Sequence, residues 1–307
     1  MTNWAEDRGG APPPVSVESI GQCSLENAII VKNLEYSFPL SGDKVIKDFS
    51  LTLPRGSRLL LCGANGAGKT TLLQILAGKY MVGGEDTVRI LGRSAFHDIQ
   101  LTSSGTLSYL GSQWRRDVAV SGGSIPMQGD ISAGTMIFGV EGVDPHRRAQ
   151  LISLLDIDLE WRLNKVSDGQ RRRVQIAMGL LKPYQVLLLD EITVDMDVIG
   201  RLDLLEFFKR ECEERGATIV YATHIFDGMR SWPTHIAYVE DGKMAVGGTV
   251  DSLPELQAGG KLLNIVEAWL QKEKERRKER EANGGLNKSH AVQSWQHMPS
   301  KHMAFYR

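Results

Sequence analysis

The stretch Gly63-Ala64-Asn65-Gly66-Ala67-Gly68-Lys69-Thr70-Thr71 constrains this chain more than any other feature. Its first eight residues fit Gly-x-x-x-x-Gly-Lys-[Ser/Thr] without a gap and directly follow the apolar run Arg58–Cys62, which predicts a strand, a glycine-rich loop and a helix in that order. The glycines let backbone N–H groups wrap a row of phosphates. Lys69 brings positive charge to the β and γ phosphates, and Thr70 brings a hydroxyl for Mg²⁺. The helix beginning near Thr70 adds the positive end of its dipole. An ordinary glycine-rich turn is the competing reading, and the strand-loop-helix setting disfavours it.

The surrounding text agrees with an α/β fold. From Ala28 to about Val250, short β-branched or Leu-rich runs alternate with helical stretches. The runs are Ala28–Val31, Arg58–Cys62, Thr87–Leu91, Leu107–Leu110, Val186–Leu189, Thr218–Tyr221 and Ile236–Val239. That rhythm predicts a largely parallel sheet covered on both faces. With 307 residues and 42% hydrophobic content, one large domain or two small ones can fold without disulfides. Residues 1–25, with Gly9, Gly10 and Pro12 to Pro14, read as a flexible leader. Residues 256–281 carry a C-terminal helix with Leu262, Ile265, Val266 and Trp269 on one face, before the charge-dense KEKERRKERE. The stretch 282–307 reads as a disordered tail.

Composition excludes some functions. The formal net charge is −1, so no global field draws the chain to nucleic acid or anionic lipid. Cys23, Cys62 and Cys212 are too few and too scattered for a disulfide framework and suit a reducing compartment, cytoplasmic or nuclear. No run approaches the roughly 18 to 20 apolar residues that span a bilayer, so membrane association is expected only through a partner.

A phosphate loop needs a carboxylate for its metal, and the apolar run Val186–Leu189 ends in Asp190 and Glu191. Asp190 is placed to hold Mg²⁺, directly or through water. Glu191 is placed to orient and polarise an attacking water. The competing reading is a strand capped by solvated acids. Between loop and acids lies Val166-Ser167-Asp168-Gly169-Gln170, followed by Arg171, Arg172, Arg173 and an apolar helical run to Leu181. By itself this reads as a capped amphipathic helix with a basic turn.

Together these strings resemble the ATP-binding cassette (ABC) family, over roughly Ala28 to Val250. The resemblance implies a RecA-like core with a mostly parallel sheet, an antiparallel β subdomain and a helical signature subdomain at about 114–181, all within an ATPase domain spanning 26–255. It implies that Ser167, Gly169 and Gln170, in the place of the LSGGQ signature, bind ATP held by the opposite subunit's loop. Val166 and Asp168 depart from that pattern, and Asp168 sets a negative group near a phosphate site. Phe38, with Tyr36 as the alternative, matches the aromatic that stacks on adenine. Gln113 resembles the glutamine that senses Mg²⁺ and the γ-phosphate, and His224 the histidine that contacts the γ-phosphate. Asp197 sits where the family's D-loop aspartate crosses a dimer interface.

Strings such as Leu155–Arg162 and Tyr221–Gly228 resemble the single-cassette plant class I (non-intrinsic) ABC proteins and their fungal relatives linked to transcription and deadenylation. The resemblance implies an ATP hydrolase using ATP and Mg²⁺ in a head-to-tail homodimer or a heterodimer with a paralogous cassette. Soluble regulatory protein partners follow from it. A separate membrane subunit is the second reading, and a nucleic-acid-associated ATPase the third, resting only on the mixed-charge run Lys272–Arg280.

Overall fold

The computed structural model describes residues 27–39, 42–111, 119–120, 123–124, 130–229, 231–257 and 260–282. Two 11-residue antiparallel strands come first, β1 (Asn27–Ser37) and β2 (Lys44–Pro54). The buried strand β3 (Arg58–Cys62) leads through the glycine loop into α1 (Lys69–Leu76). Short strands β4 (Val88–Ile90) and β5 (Arg93–Ser94) and the single turn α2 (Gln100–Ser103) precede β6 (Leu107–Leu110). A small ribbon, β7 (Ala119–Val120) with β8 (Gly123–Ser124), and three helices, α3 (Ala133–Phe138), α4 (Pro145–Leu154) and α5 (Asp168–Leu180), follow. Then come β9 (Val186–Asp190), α6 (Val198–Arg215), β10 (Thr218–Ala222), the hairpin β11 (His235–Glu240) and β12 (Lys243–Thr249), α7 (Pro254–Gln257) and α8 (Leu262–Ala282).

Six strands make the main sheet in the order β12-β11-β3-β10-β9-β6, parallel except for the edge strand β12. Alternation along the strands puts Leu59, Leu61, Val186, Leu188, Val220 and Ala222 into one core cluster with Leu72, Leu73, Ile75 and Leu76 of α1. The intervening residues Leu60, Leu187, Leu189, Ile219 and Tyr221 are equally buried on the other face. This is the covered parallel sheet that the apolar runs predict.

Two runs belong elsewhere. Ala28–Val31, within β1, and Thr87–Leu91, whose core is β4, do not join the parallel sheet; they lie in a second, antiparallel sheet of order β2-β1-β4-β5, with Ile29 opposite Ile90. Val88 and Ile90 are buried while Arg89 between them is half-buried, and so short a run carries no mark of its partner. Strand β2 carries no strand signal in the sequence, because its buried residues Ile46, Phe49 and Leu53 are unevenly spaced, in a pairing broken by register shifts.

Two compact units result, one ending at Ile265 and one beginning at Val266. In the first, Leu262 and Ile265 are buried; in the second, the helical run from Lys272 to Arg280 is almost wholly exposed, as its charge requires. The helix starts at Leu262, not near residue 256, where α7 forms a separate short turn. The expected leader and tail lie outside the described residues, apart from Ala282. No helix among the described residues is long and apolar enough to cross a membrane.

A buried ion pair ties α4 and α5 to α6. Arg147 donates Nη1 and Nη2 to Glu211 Oε1 and Oε2 at 2.9 Å each, and Nε to the carbonyl of Leu180 at 2.8 Å. The guanidinium also lies 5.6 Å from the Phe207 ring centre. Both side chains are less than a tenth exposed, and Arg215 also donates to Glu211 at 3.2 Å, so removing Glu211 leaves the buried Arg147 charge stranded. Glu211→Ala is expected to lower unfolding stability by about 3–5 kcal/mol in urea titrations. A loss under about 1 kcal/mol would show that the pair is not the tie between these helices.

Candidate functional site

Parallel pairing brings four strand ends to one edge. Leu61 lies opposite Ala222, Ala222 opposite Asp190, and Leu189 opposite Leu110. The glycine loop, His224, Glu191 and Gly111 therefore leave the sheet side by side, at the carboxyl edge where α/β sheets bind ligands. Gln113 lies outside the described residues, and Gly111 is the last described residue before it.

The loop's backbone depends on glycine at its two ends. Gly63 has φ 148°, and a Cβ there would come within 2.3 Å of the Val239 carbonyl oxygen. Gly68, at φ 101°, is the N-cap of α1 and would set a Cβ 2.9 Å from Ile46 Cδ1. No side chain caps α1 and no acid occupies its first turn, so its amides and dipole are left for an external anion. Ala67 is buried, whereas Asn65, Gly66 and Thr70 are exposed and Ala64 and Thr71 half-buried. The Lys69 ammonium turns back over the loop, donating to the carbonyls of Gly63 at 2.7 Å and Ala64 at 3.0 Å.

Asp190, buried at the end of β9, lies beside the Thr70 hydroxyl and the Lys69 ammonium of this loop. Burial pushes the Asp190 carboxyl above its ordinary value, with the Thr70 hydroxyl and the Lys69 charge opposing. One buried carboxylate and one hydroxyl, both oxygen donors, fit Mg²⁺, which fills its remaining positions with water and phosphate oxygens. The next residue, Glu191, adopts the left-handed region at φ 52°, a strained choice for a non-glycine, and its N–H donates to the Ala222 carbonyl at 2.9 Å. This twist carries the Glu191 carboxylate off the strand line to meet His224 Nδ1 at 3.2 Å. Both side chains remain open to solvent, at 31% and 48% exposure, within reach of a water.

The signature turn forms a second feature. Ser167 and Gln170 cap each other: Gln170 N–H donates to Ser167 Oγ at 3.2 Å, and Ser167 N–H to Gln170 Oε1 at 3.0 Å. Asp168 is engaged by Arg171 at 2.6 Å, and Arg171 also donates to the carbonyls of Leu163 and Val166. The acid that departs from the signature pattern is thus matched by a base one turn later. Gly169 packs on the loop after Glu191, where a Cβ would lie 3.0 Å from the Asp195 carbonyl oxygen. Asp197 caps α6 by accepting from Gly200 N–H at 2.7 Å and pairs with Arg173 of α5. The Gly200 N–H and the Arg173 charge hold its carboxyl below the ordinary range. Val194, Val198 and Ile199 are exposed apolar residues on this same loop and helix start.

Phe38 stands edge-on to Tyr36, with ring centres 5.2 Å apart, and to Tyr80 at 5.9 Å. Tyr36 and Tyr80 lie 5.3 Å apart. Both sequence candidates for the aromatic therefore share one cluster, and Tyr80 joins it from beyond α1. Sequence reasoning also missed Tyr109, whose hydroxyl donates to Asp190 Oδ2 at 3.3 Å and whose ring carries the Lys79 ammonium at 4.4 Å. Burial, then the Asp190 charge, pushes the Tyr109 phenol up, so it stays a donor. Only its place at a strand's carboxyl end could have marked it.

Comparison with known proteins agrees with this geometry. The profile of the ABC transporter family matches residues 46–194. ABC transporter I family member 21 of Arabidopsis thaliana is 56% identical over 284 residues, covering 92% of this chain and 98% of that protein. CCR4-associated factor 16 of Saccharomyces cerevisiae is 43% identical over 230 residues, covering 71% and 77%. A solved ATP-binding cassette dimer, in a post-hydrolysis state with ADP and Pi, shares the fold at TM-score 0.59 and 20% identity, over 73% of this chain and all of that one. This chain belongs to the ABC transporter family, as an ATP-binding cassette ATPase similar to the family's class I, non-intrinsic members.

Proposed function

We propose that two cassettes close head to tail over two molecules of MgATP, and that opening after hydrolysis regulates soluble protein partners in the cytoplasm or nucleus. The observation that carries the catalytic part is the twisted backbone at Glu191, which sets a solvent-accessible carboxylate beside His224 at the sheet edge that holds Lys69, Thr70 and Asp190. Lys69 and the amides of Gly63 to Thr71 bind the phosphates, and Phe38, with Tyr36 and Tyr80 behind it, offers a face to the adenine. Thr70 and Asp190 hold Mg²⁺, with Gln113 as a further ligand; when bound, the ion offsets charge on the phosphate oxygens. Glu191 orients a water toward the γ-phosphorus. As the new P–O bond forms, the bond to the β–γ bridging oxygen breaks and ADP leaves. His224 keeps Glu191 aimed and contacts the γ-phosphate.

The dimer reading draws on the signature turn. Ser167, Gly169 and Gln170 sit at an exposed helix start that joins, through Asp195 and Asp197, a loop bearing exposed Val194, Val198 and Ile199. A helix start that the family resemblance assigns to a second cassette's nucleotide, flanked by exposed apolar side chains, suits a pairing face. A regulatory role is favoured by the yeast relative, which is named as a factor associated with CCR4.

Mass in solution tests the pairing. Glu191→Gln is expected to lower kcat by about 10²- to 10⁴-fold and to form dimers with MgATP; a monomer both with and without MgATP would rule out the closed pair. Lys69→Ala should abolish nucleotide binding, whereas Ser167→Arg should keep it and lose turnover, and normal ATPase activity in Ser167→Arg would remove the signature assignment. Freeing Asp168 by Arg171→Ala should lower turnover about two- to fivefold, the scale of one exposed charge interaction. Adding Asp168→Gly should restore it; if the double variant stays slow, Arg171 acts through its carbonyl bonds instead.

A further inference from the structure

Arg172 is a charged side chain for which the proposed chemistry has no use, yet it is only 4% exposed. It projects from α5, the helix that Ser167 caps. Its Nε donates to the carbonyl of Ile192 at 3.1 Å. Its Nη1 donates to the carbonyl of Gly111 at 3.3 Å and to Gln175 Oε1 at 3.4 Å. Ile192 follows Glu191 directly, and Gly111 stands two residues before Gln113. One planar guanidinium therefore spans the turn that carries the acid and the strand exit that leads to the glutamine.

That turn needs holding. A non-glycine residue at φ 52° persists only where its surroundings over-determine it. Before the Ile192 carbonyl, the Glu191 N–H is tied to Ala222; after it, Thr193 Oγ1 shares a hydrogen bond with Tyr221 OH at 2.7 Å. The carbonyl between these two ties is the one Arg172 binds. A rigid fork with several donors can serve two backbone carbonyls in fixed directions, which a lysine ammonium on a flexible stem does less well.

We propose that Arg172 is a positioning residue for hydrolysis, holding the Glu191 turn and the exit of β6 at Gly111 in one fixed arrangement against the signature helix. It touches neither nucleotide nor water and acts through the backbone that aims them. The inference rests on the reading of Glu191 as the group that orients water.

The test uses the full chain with Arg172→Met, which keeps the bulk and removes the donors, and Arg172→Lys, which keeps the charge and part of the bonding. Arg172→Met is expected to lower kcat about 10- to 100-fold, the cost of misplacing a catalytic group by about 1 Å. Affinity for ATP, measured by calorimetry, should stay within about twofold, and Arg172→Lys should recover part of kcat. In a Glu191→Gln background, Arg172→Met should cause no further loss, because both act through one carboxylate. Unchanged kcat in a folded Arg172→Met protein overturns the proposal, as does a loss of kcat matched by an equal loss of affinity. Should Arg172→Met fail to fold, Arg172→Gln carries the same measurements; failure of all three variants to fold shows a purely structural part and overturns it too. Glu191→Gln alone separates the two claims: full turnover there removes the reading of Glu191 and the inference with it. Loss there beside unchanged turnover in Arg172→Met removes only the role of Arg172.

Discussion

The in-register parallel pairing of β3, β10, β9 and β6 is the constraint on which everything else in this protein depends. Because the four strands run the same way and end level, with Leu61, Ala222, Asp190 and Leu110 near one line, the residues that follow them share one edge. A shift of one residue in β9 would turn Asp190 to the opposite face of the sheet. The register is held by burial on both faces, since every residue of β3, β9 and β10 is buried. An apolar core with no polar exit costs much to slip, so the site inherits its precision from the hydrophobic packing beneath it.

On that frame, local strain and local electrostatics do the finer placement. The two boundary glycines let the phosphate loop turn where any side chain would strike Val239 or Ile46. Glu191 leaves the strand through a left-handed turn and reaches His224, while Asp190, one residue earlier and buried, stays beside Thr70 and Tyr109. Two adjacent carboxylates thereby receive different surroundings, one enclosed and one open to water. The signature turn shows the same economy: Ser167 and Gln170 satisfy each other, and Arg171 answers Asp168.

Much of the candidate site is legible in the sequence because its parts are contiguous strings. Gly63 to Thr71, Asp190 with Glu191, and Ser167 to Gln170 each carry their chemistry within a few residues, and the order of the strings supports each of them. The parallel strands are legible for a related reason, being continuous apolar runs. Strand β2 is not, because its buried residues are unevenly spaced, and the place of the runs in β1 and β4 in the antiparallel sheet is not, because a short apolar run does not name its partner strand. Tyr109 and Tyr80 carried no local mark at all. Their contacts join strands and loops far apart in the chain.

What the sequence by itself determined is the family, and with it the candidate phosphate loop and pair of acids, since those readings follow from residue types at fixed short spacing. Only the tertiary structure decided that Glu191 meets His224, that Arg172 reaches both Ile192 and Gly111, that Arg173 pairs with Asp197, and that Arg147 is buried against Glu211. In the sequence, three consecutive arginines read as one basic turn. Helical geometry points them in three directions, so that one answers an acid, one is buried among backbone carbonyls and one bridges to the next loop, because side chains adjacent in a helix do not share a face.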